Sequence, residues 1–188
     1  MISVTEPVAE VKVVSIEIEV LNGDASWKVA ERLLEAVWPP EVLATLPWGD
    51  VVFAHADLRV LVSESDGLVC HVGIYRREVT WNGRKMRVGG IGGVATREDR
   101  RRRGYASVAL EAAIQTLRDE GSSDFAMLFC EPRNAPFYAG RGWRPFEGDI
   151  FAEQPGKGRI AFTAIAPHVC KIRQAPLRGT IDLCGLPW

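Results

Sequence analysis

Val94-Ala95-Thr96-Arg97-Glu98-Asp99-Arg100-Arg101-Arg102-Arg103-Gly104-Tyr105-Ala106 is the stretch on which the fold turns. Before it, residues 86–96 read MRVGGIGGVAT, an extended, glycine-spotted run. After it, residues 107–120 read SVALEAAIQTLRDE, with Val108, Ala112 and Leu117 at helical spacing and charges opposite. A strand therefore enters a helix through a glycine and four arginines. Gly104 can adopt backbone angles closed to other residues, successive N–H groups there can converge on an anion, and the helix N-terminus adds partial positive charge. A solvated basic turn needs neither the glycine nor the junction, so the arrangement reads as a phosphate cradle over Arg101 to Ala106, with Arg102 and Arg103 adding diffuse charge.

Working outward, Gly121 stands where a helix C-cap is expected, and FAMLFC over 125–130 is a short continuous apolar run, the pattern of a strand buried on both faces. Strand, helix and strand make a βαβ unit. Upstream, Val11 to Leu21 alternates as a strand with one wet face. A helix with Asp24 as N-cap follows, stopped by Pro39-Pro40. Segments 51–54, 58–63 and 68–80 read as hairpin strands, and Asn82-Gly83 carries the hairpin signal leading into 86–96. Downstream, 134–141 is a short helix, 159–165 a strand, and the chain closes on IDLCGLPW. The fold class is α+β, a mixed, mostly antiparallel sheet flanked by helices around the βαβ unit, as one domain over 1–188.

Composition narrows the function. Lys plus Arg number 23 against 24 Asp plus Glu, so the formal net charge of -1 provides no global field for nucleic acid or an anionic membrane. Apolar stretches fall far short of the roughly 20 residues of a membrane span, and the N-terminus has neither a basic nor an apolar leader segment, from which a cytoplasmic protein is expected. The 4 cysteines, Cys70, Cys130, Cys170 and Cys184, form no C-x-x-C pair, so buried thiols are expected and no metal site. No histidine stands in a recognisable companion motif to Cys130, which argues against a Cys/His nucleophile. Arg76-Arg77 and Arg84 to Arg87 read as the wet face of a hairpin.

Arg101-x-x-Gly104-x-Ala106 matches R/Q-x-x-G-x-G/A, the acetyl-coenzyme A signature of the GCN5-related N-acetyltransferase (GNAT) superfamily, which the chain resembles. Asn134-Ala135-Pro136-Phe137-Tyr138, followed by Gly142-Trp143, looks like that family's N-x-x-F/L-Y-x-x-x-G-F/W block. The resemblance implies acetyl-CoA as co-substrate, with backbone groups of Val94 and Thr96 on the pantetheine arm and Arg101 to Ala106, Tyr105 included, on the pyrophosphate. Asn134 would bond the cofactor arm, and Tyr138 would be the general acid that protonates the departing thiolate after a direct attack by an amine. The partner expected is a small-molecule amine acceptor, with neither nucleic acid nor membrane, and a homodimer is left open. Alternatives are a longer acyl donor and a non-catalytic coenzyme A-binding domain.

Within the superfamily, the hairpin IYRREVTWNGRKMRVGGIGGVATR, the block FYAGRGWRPFEG and the Leu-Cys and tryptophan near the end are most similar to aminoglycoside 2'-N-acetyltransferases. Two acidic positions of that branch are Gly92 and Gly185 here. No general base is assignable among Glu78, Asp50, Asp182 and Glu147. The branch implies that Trp188 lies beside the acceptor, its indole offering a flat face and its α-carboxylate a charge missing at Gly92 and Gly185.

Overall fold

The structure is a computed structural model that describes residues 15–188. In chain order its elements are β1 (Glu17–Asn22), α1 (Gly23–Val37), α2 (Pro40–Leu43), β2 (Leu58–Glu64), β3 (Gly67–Trp81) and β4 (Arg84–Thr96). They continue with α3 (Tyr105–Glu120), β5 (Phe125–Cys130), α4 (Ala135–Ala139), β6 (Arg144–Pro145), β7 (Glu147–Gln154), β8 (Gly158–Ala161), β9 (Ala166–Lys171) and β10 (Arg178–Asp182). The part of the expected first strand before residue 15 lies outside the described residues. No helix among those described is long and apolar enough to cross a membrane.

The α+β architecture follows from the βαβ unit. β4 pairs parallel with β5 from Val88↔Phe125 to Ile91↔Leu128, and α3 makes the crossover. Everything from β1 to β4 is an antiparallel meander, and β3 is long enough to pair with β2 along its first half and with β10 at Thr80 and Trp81. The sheet runs β6-β9-β5-β4-β3-β10-β7-β8, with β2 and β1 beside β3.

Alternation along β5 sorts the core onto two faces. Ala126, Leu128 and Cys130 join Ala109, Leu110, Ala113 and Leu117 of α3, whereas Phe125 and Met127 join Val79, Val88, Ile150, Ile181 and Trp188. Each large apolar side chain so covered contributes about 1.5–3 kcal/mol. The glycines of β4 let both layers close on it. A Cβ at Gly89 would lie 2.3 Å from Leu117, and one at Gly90, pointing to the other face, 2.4 Å from the Trp188 indole.

Several expected boundaries move. Asn22, not Asp24, caps α1: its Oδ1 accepts from the N–H of Asp24 at 3.0 Å and of Ala25 at 3.1 Å. α3 starts two residues earlier than its apolar pattern suggested, at Tyr105, α4 is shorter than 134–141, and the strand expected over 159–165 spans only Gly158–Ala161. Residues 51–54 are not a strand. The Gln154 side-chain amide stands in for a partner strand there, donating to the Val52 carbonyl and accepting from the Val52 N–H, both at 2.9 Å. β7 and β9 escape the sequence reading, as charged and polar residues interrupt the apolar pattern of β7, and Pro167 and His168 that of β9. Of the cysteines, Cys184 is exposed and the other three are buried thiols.

Candidate active site

Pairing of β4 with β5 stops at Ile91↔Leu128, after which the two strands diverge. The register of β4 against β3 shifts at the same level: Gly73 faces Gly92 and His71 faces Ala95, so Val72 opposes both Gly93 and Val94. This bulge, helped by Gly93 at φ +57°, leaves one residue's backbone outside the ladder at the mouth of the split.

On one side of the split lies the expected cradle. Gly104, at φ +88°, caps α3, no side chain caps the helix, and Arg102 stands at φ +62°. Among the described residues, no N–H from Arg102 to Ala106 has an intramolecular acceptor. Five consecutive donors, a helix N-terminus and a glycine with nothing within 4 Å of its Cβ position make a seat shaped and charged for phosphate.

Neighbouring acids sort the arginines. Arg97 and Arg100 are held by Asp66, Asp99 and Glu64, with Arg100 Nε 3.1 Å from Glu64. Arg101, Arg102 and Arg103 carry no ion pair among the described residues, and all are exposed. Arg101 and Arg102 line the groove with Val94, Thr96, Gly104, Tyr105, Ala106 and Asn134, whereas Arg103 lies outside that lining. The Tyr105 hydroxyl is engaged by Glu64, to which it donates. The Thr96 hydroxyl faces Cys70 Sγ at 3.4 Å, and its carbonyl accepts from Arg101 Nε at 3.4 Å.

On the other side of the split is a cavity of about 380 Å³. Val94, Arg133, Asn134 and Tyr138 line both cavity and groove, so the two meet at the buried Tyr138. Burial is the main cause that raises the Tyr138 phenol above its ordinary value, with nearby Cys130 and Cys70 adding to it, so the hydroxyl keeps its proton.

A model described as an acetyltransferase (GNAT) domain matches residues 22–146. The chain belongs to this GNAT family. It is 27% identical over 110 residues to the aminoglycoside 2'-N-acetyltransferase of Mycolicibacterium fortuitum, a match covering 57% of this chain and 55% of that one. It thus spans about half the length of that curated relative. Among solved structures, the GNAT family N-acetyltransferase YhbS of Escherichia coli, in complex with CoA, superposes with a TM-score of 0.54 at 18% identity, over 96% of this chain and 93% of that one. ElaA of Escherichia coli gives 0.59 at 16%, over 84% and 100%. These likenesses concern the fold.

Trp188 of this GNAT chain lines the cavity but is built into its wall. It is buried, its indole Nε1 donates to the Met127 carbonyl at 3.1 Å, and it stacks on Tyr75 at 6.0 Å with Arg77 over its ring at 5.5 Å. A Cβ at Gly92 would sit 2.9 Å from the Trp188 carbonyl carbon, so the tryptophan fills the room a side chain at 92 would need.

The GNAT cavity also contains groups that sequence reasoning missed: Arg59, His71 and Glu131, together with an aromatic lining from Trp27, Trp38, Trp48, Phe53 and Phe129. The one available signal was a charged residue set in an apolar run, as in LRVLV and VCHVG. Of the four carboxylates weighed as bases, Glu78 pairs with Lys85 and Asp182 with Arg159, and neither these nor Asp50 and Glu147 line the cavity. Cys130 Sγ does lie 3.5 Å from His168 Nδ1, but burial pushes the thiol up to about 11, which leaves it protonated and a poor nucleophile.

Proposed function

We propose that this GNAT chain transfers an acetyl group from acetyl-CoA to the primary amine of a small molecule. The observation that carries the reading is the meeting of a phosphate-shaped groove and a cavity rich in aromatic side chains at a buried, protonated tyrosine. Free N–H groups from Arg102 to Ala106, with Arg101 and Arg102 beside them, would hold the pyrophosphate. Val94 and Thr96 would offer backbone groups along the arm and Asn134 its side-chain amide.

Transfer is direct. A neutral amine attacks the thioester carbonyl carbon, the C–N bond forms and the C–S bond breaks. Backbone N–H at the Gly93-Val94 bulge stabilises the developing oxyanion. Tyr138 gives its hydroxyl proton to the leaving sulfur, and the proton lost by the amine passes to solvent as the phenol is restored. Trp188 acts as a wall that sets the depth of the acceptor side.

An aminoglycoside-like acceptor has the support of the 27% identical relative. Against it, Trp188 occupies the space at Gly92, and a Cβ at Gly185 would be 3.0 Å from the Arg77 guanidinium, a cation rather than the carboxylate a polycation needs.

The test is release of free thiol from acetyl-CoA in the presence of a panel of small primary amines, with Tyr138→Phe as control. Amine-dependent release that drops in the variant supports the reading; coenzyme A binding without turnover of any amine would favour a non-catalytic binding domain.

A further inference from the structure

Arg59, on β2, is 3% exposed, yet it lines the acceptor cavity. Its Nε donates to the Gly23 carbonyl at 3.0 Å, and its Nη1 lies 3.0 Å from His71 Nε2. A guanidinium only donates, so Nε2 must accept, and the proton of His71 sits on Nδ1, 2.7 Å from the Gly93 carbonyl that it bonds. His71 is therefore neutral, and burial lowers it to about 4. Among the described residues no carboxylate is within ion-pair distance, Asp24 acts on the charge only from farther away, and the guanidinium rests on the Trp27 ring at 4.8 Å. Nη2 has no acceptor among those residues and is not sealed off, since the one buried side-chain polar atom without a partner is Ser123 Oγ.

Buried guanidinium groups are ordinarily paired, because an uncompensated charge away from water is unfavourable. Here Arg59 lines the cavity, from which a partner can arrive. Of the cavity's carboxylates, Glu131 is already bound to Arg133 at 2.6 Å and the Trp188 α-carboxylate makes no ion pair with Arg59, so the guanidinium is left without a contact partner. That charge lies one imidazole ring away from the bulge where the acetyl group would be presented. The rest of the lining includes the rings of Trp27, Trp38, Trp48, Phe53 and Phe129, and about 380 Å³ is near the lower end for ligand sites.

We propose that the acceptor is an amino acid with an apolar or aromatic side chain, its carboxylate held by Arg59 while its amine faces the Gly93-Val94 bulge. The inference rests on the N-acetyltransferase reading and names its substrate class. The bond to carboxylate is charge-assisted and made by a guanidinium that is itself buried, so losing either partner should cost roughly 10- to 100-fold in kcat/KM. A polycation meets the same unpaired arginine as repulsion.

The experiment compares L-phenylalanine with phenethylamine, which differ only in the carboxylate, and with kanamycin. Thiol release gives kcat/KM for each, in wild type, Arg59→Gln and Arg59→Lys, and titration calorimetry follows coenzyme A binding in the same proteins. Expected are a preference of at least ten-fold for L-phenylalanine in wild type, its disappearance in Arg59→Gln, partial retention in Arg59→Lys, and unchanged coenzyme A affinity throughout. If Arg59→Gln does not fold, the wild-type ratio and Arg59→Lys decide. Coenzyme A binding with phenethylamine or kanamycin acetylated as well as L-phenylalanine would overturn the inference while leaving the transferase reading intact. Absence of coenzyme A binding would remove both.

Discussion

The Trp188 indole occupies the space directly over Gly90: a Cβ there would sit 2.4 Å from the ring. The ring cannot slide away, because its Nε1 is tied to the Met127 carbonyl, Tyr75 stacks on it, and Arg77, over its ring, donates to the Leu186 carbonyl. Gly90→Ala is expected to destabilise the protein by about 1–3 kcal/mol, the usual range for overpacking. The urea midpoint should fall with unchanged slope, and coenzyme A affinity at low denaturant should stay within two-fold. A midpoint equal to wild type would mean that the tryptophan is not fixed.

Tyr138→Phe keeps the ring packed against Trp143 and removes only the proton donor. The expected result is a fall in kcat of roughly 10²-fold with little change in coenzyme A affinity. Because burial raises the phenol, wild type should also lack an alkaline limb in kcat caused by loss of this proton below pH 10. An unchanged kcat under chemistry-limited conditions would remove Tyr138 from the reaction.

Stability should fall with acid in two windows. Burial lowers His71 from 6.5 to about 4, so between these values the unfolded chain binds a proton that the folded one does not. That contribution, about 3 kcal/mol at most, is complete above pH 6.5 and lost as the pH falls towards 4. The Tyr105 hydroxyl, aided by Arg100, lowers Glu64, and Arg97 lowers Asp66 and Asp99. Their contribution is complete above their ordinary values and lost as the pH falls through the lowered ones. Urea midpoints at pH 7, 5 and 3.5 check this: His71→Asn should flatten the upper window and Glu64→Gln the lower. The same slope in His71→Asn as in wild type between pH 7 and 5 would refute the first assignment.

What the sequence could and could not reveal follows from range. The cradle is local: its glycine, its arginines and the helix behind it are neighbours in the chain, so Arg101 to Ala106 read as a phosphate site without any tertiary knowledge. The same holds for β5, whose apolar run reflects burial on both faces. The cavity is assembled from α1, β2, β3, β4, β5 and the last residues, and no periodicity states that Arg59, His71 and Glu131 line one space. β9 was hidden because its Pro167 and His168 break the pattern of a strand, although β5 pairs with it along its whole length. The swap of a ladder for the Gln154 amide at Val52 is likewise a contact between residues 102 apart in sequence.

The five free N–H groups around Gly104 are expected to seat the pyrophosphate of coenzyme A, and titration calorimetry tests this most directly. Wild type should bind coenzyme A with an affinity that falls as salt rises, since the contacts are charge-assisted, and Gly104→Asp should lose binding while retaining the wild-type circular dichroism spectrum. A wild-type protein that gives no binding heat with millimolar coenzyme A, or a folded Gly104→Asp variant that binds as tightly as wild type, would contradict it.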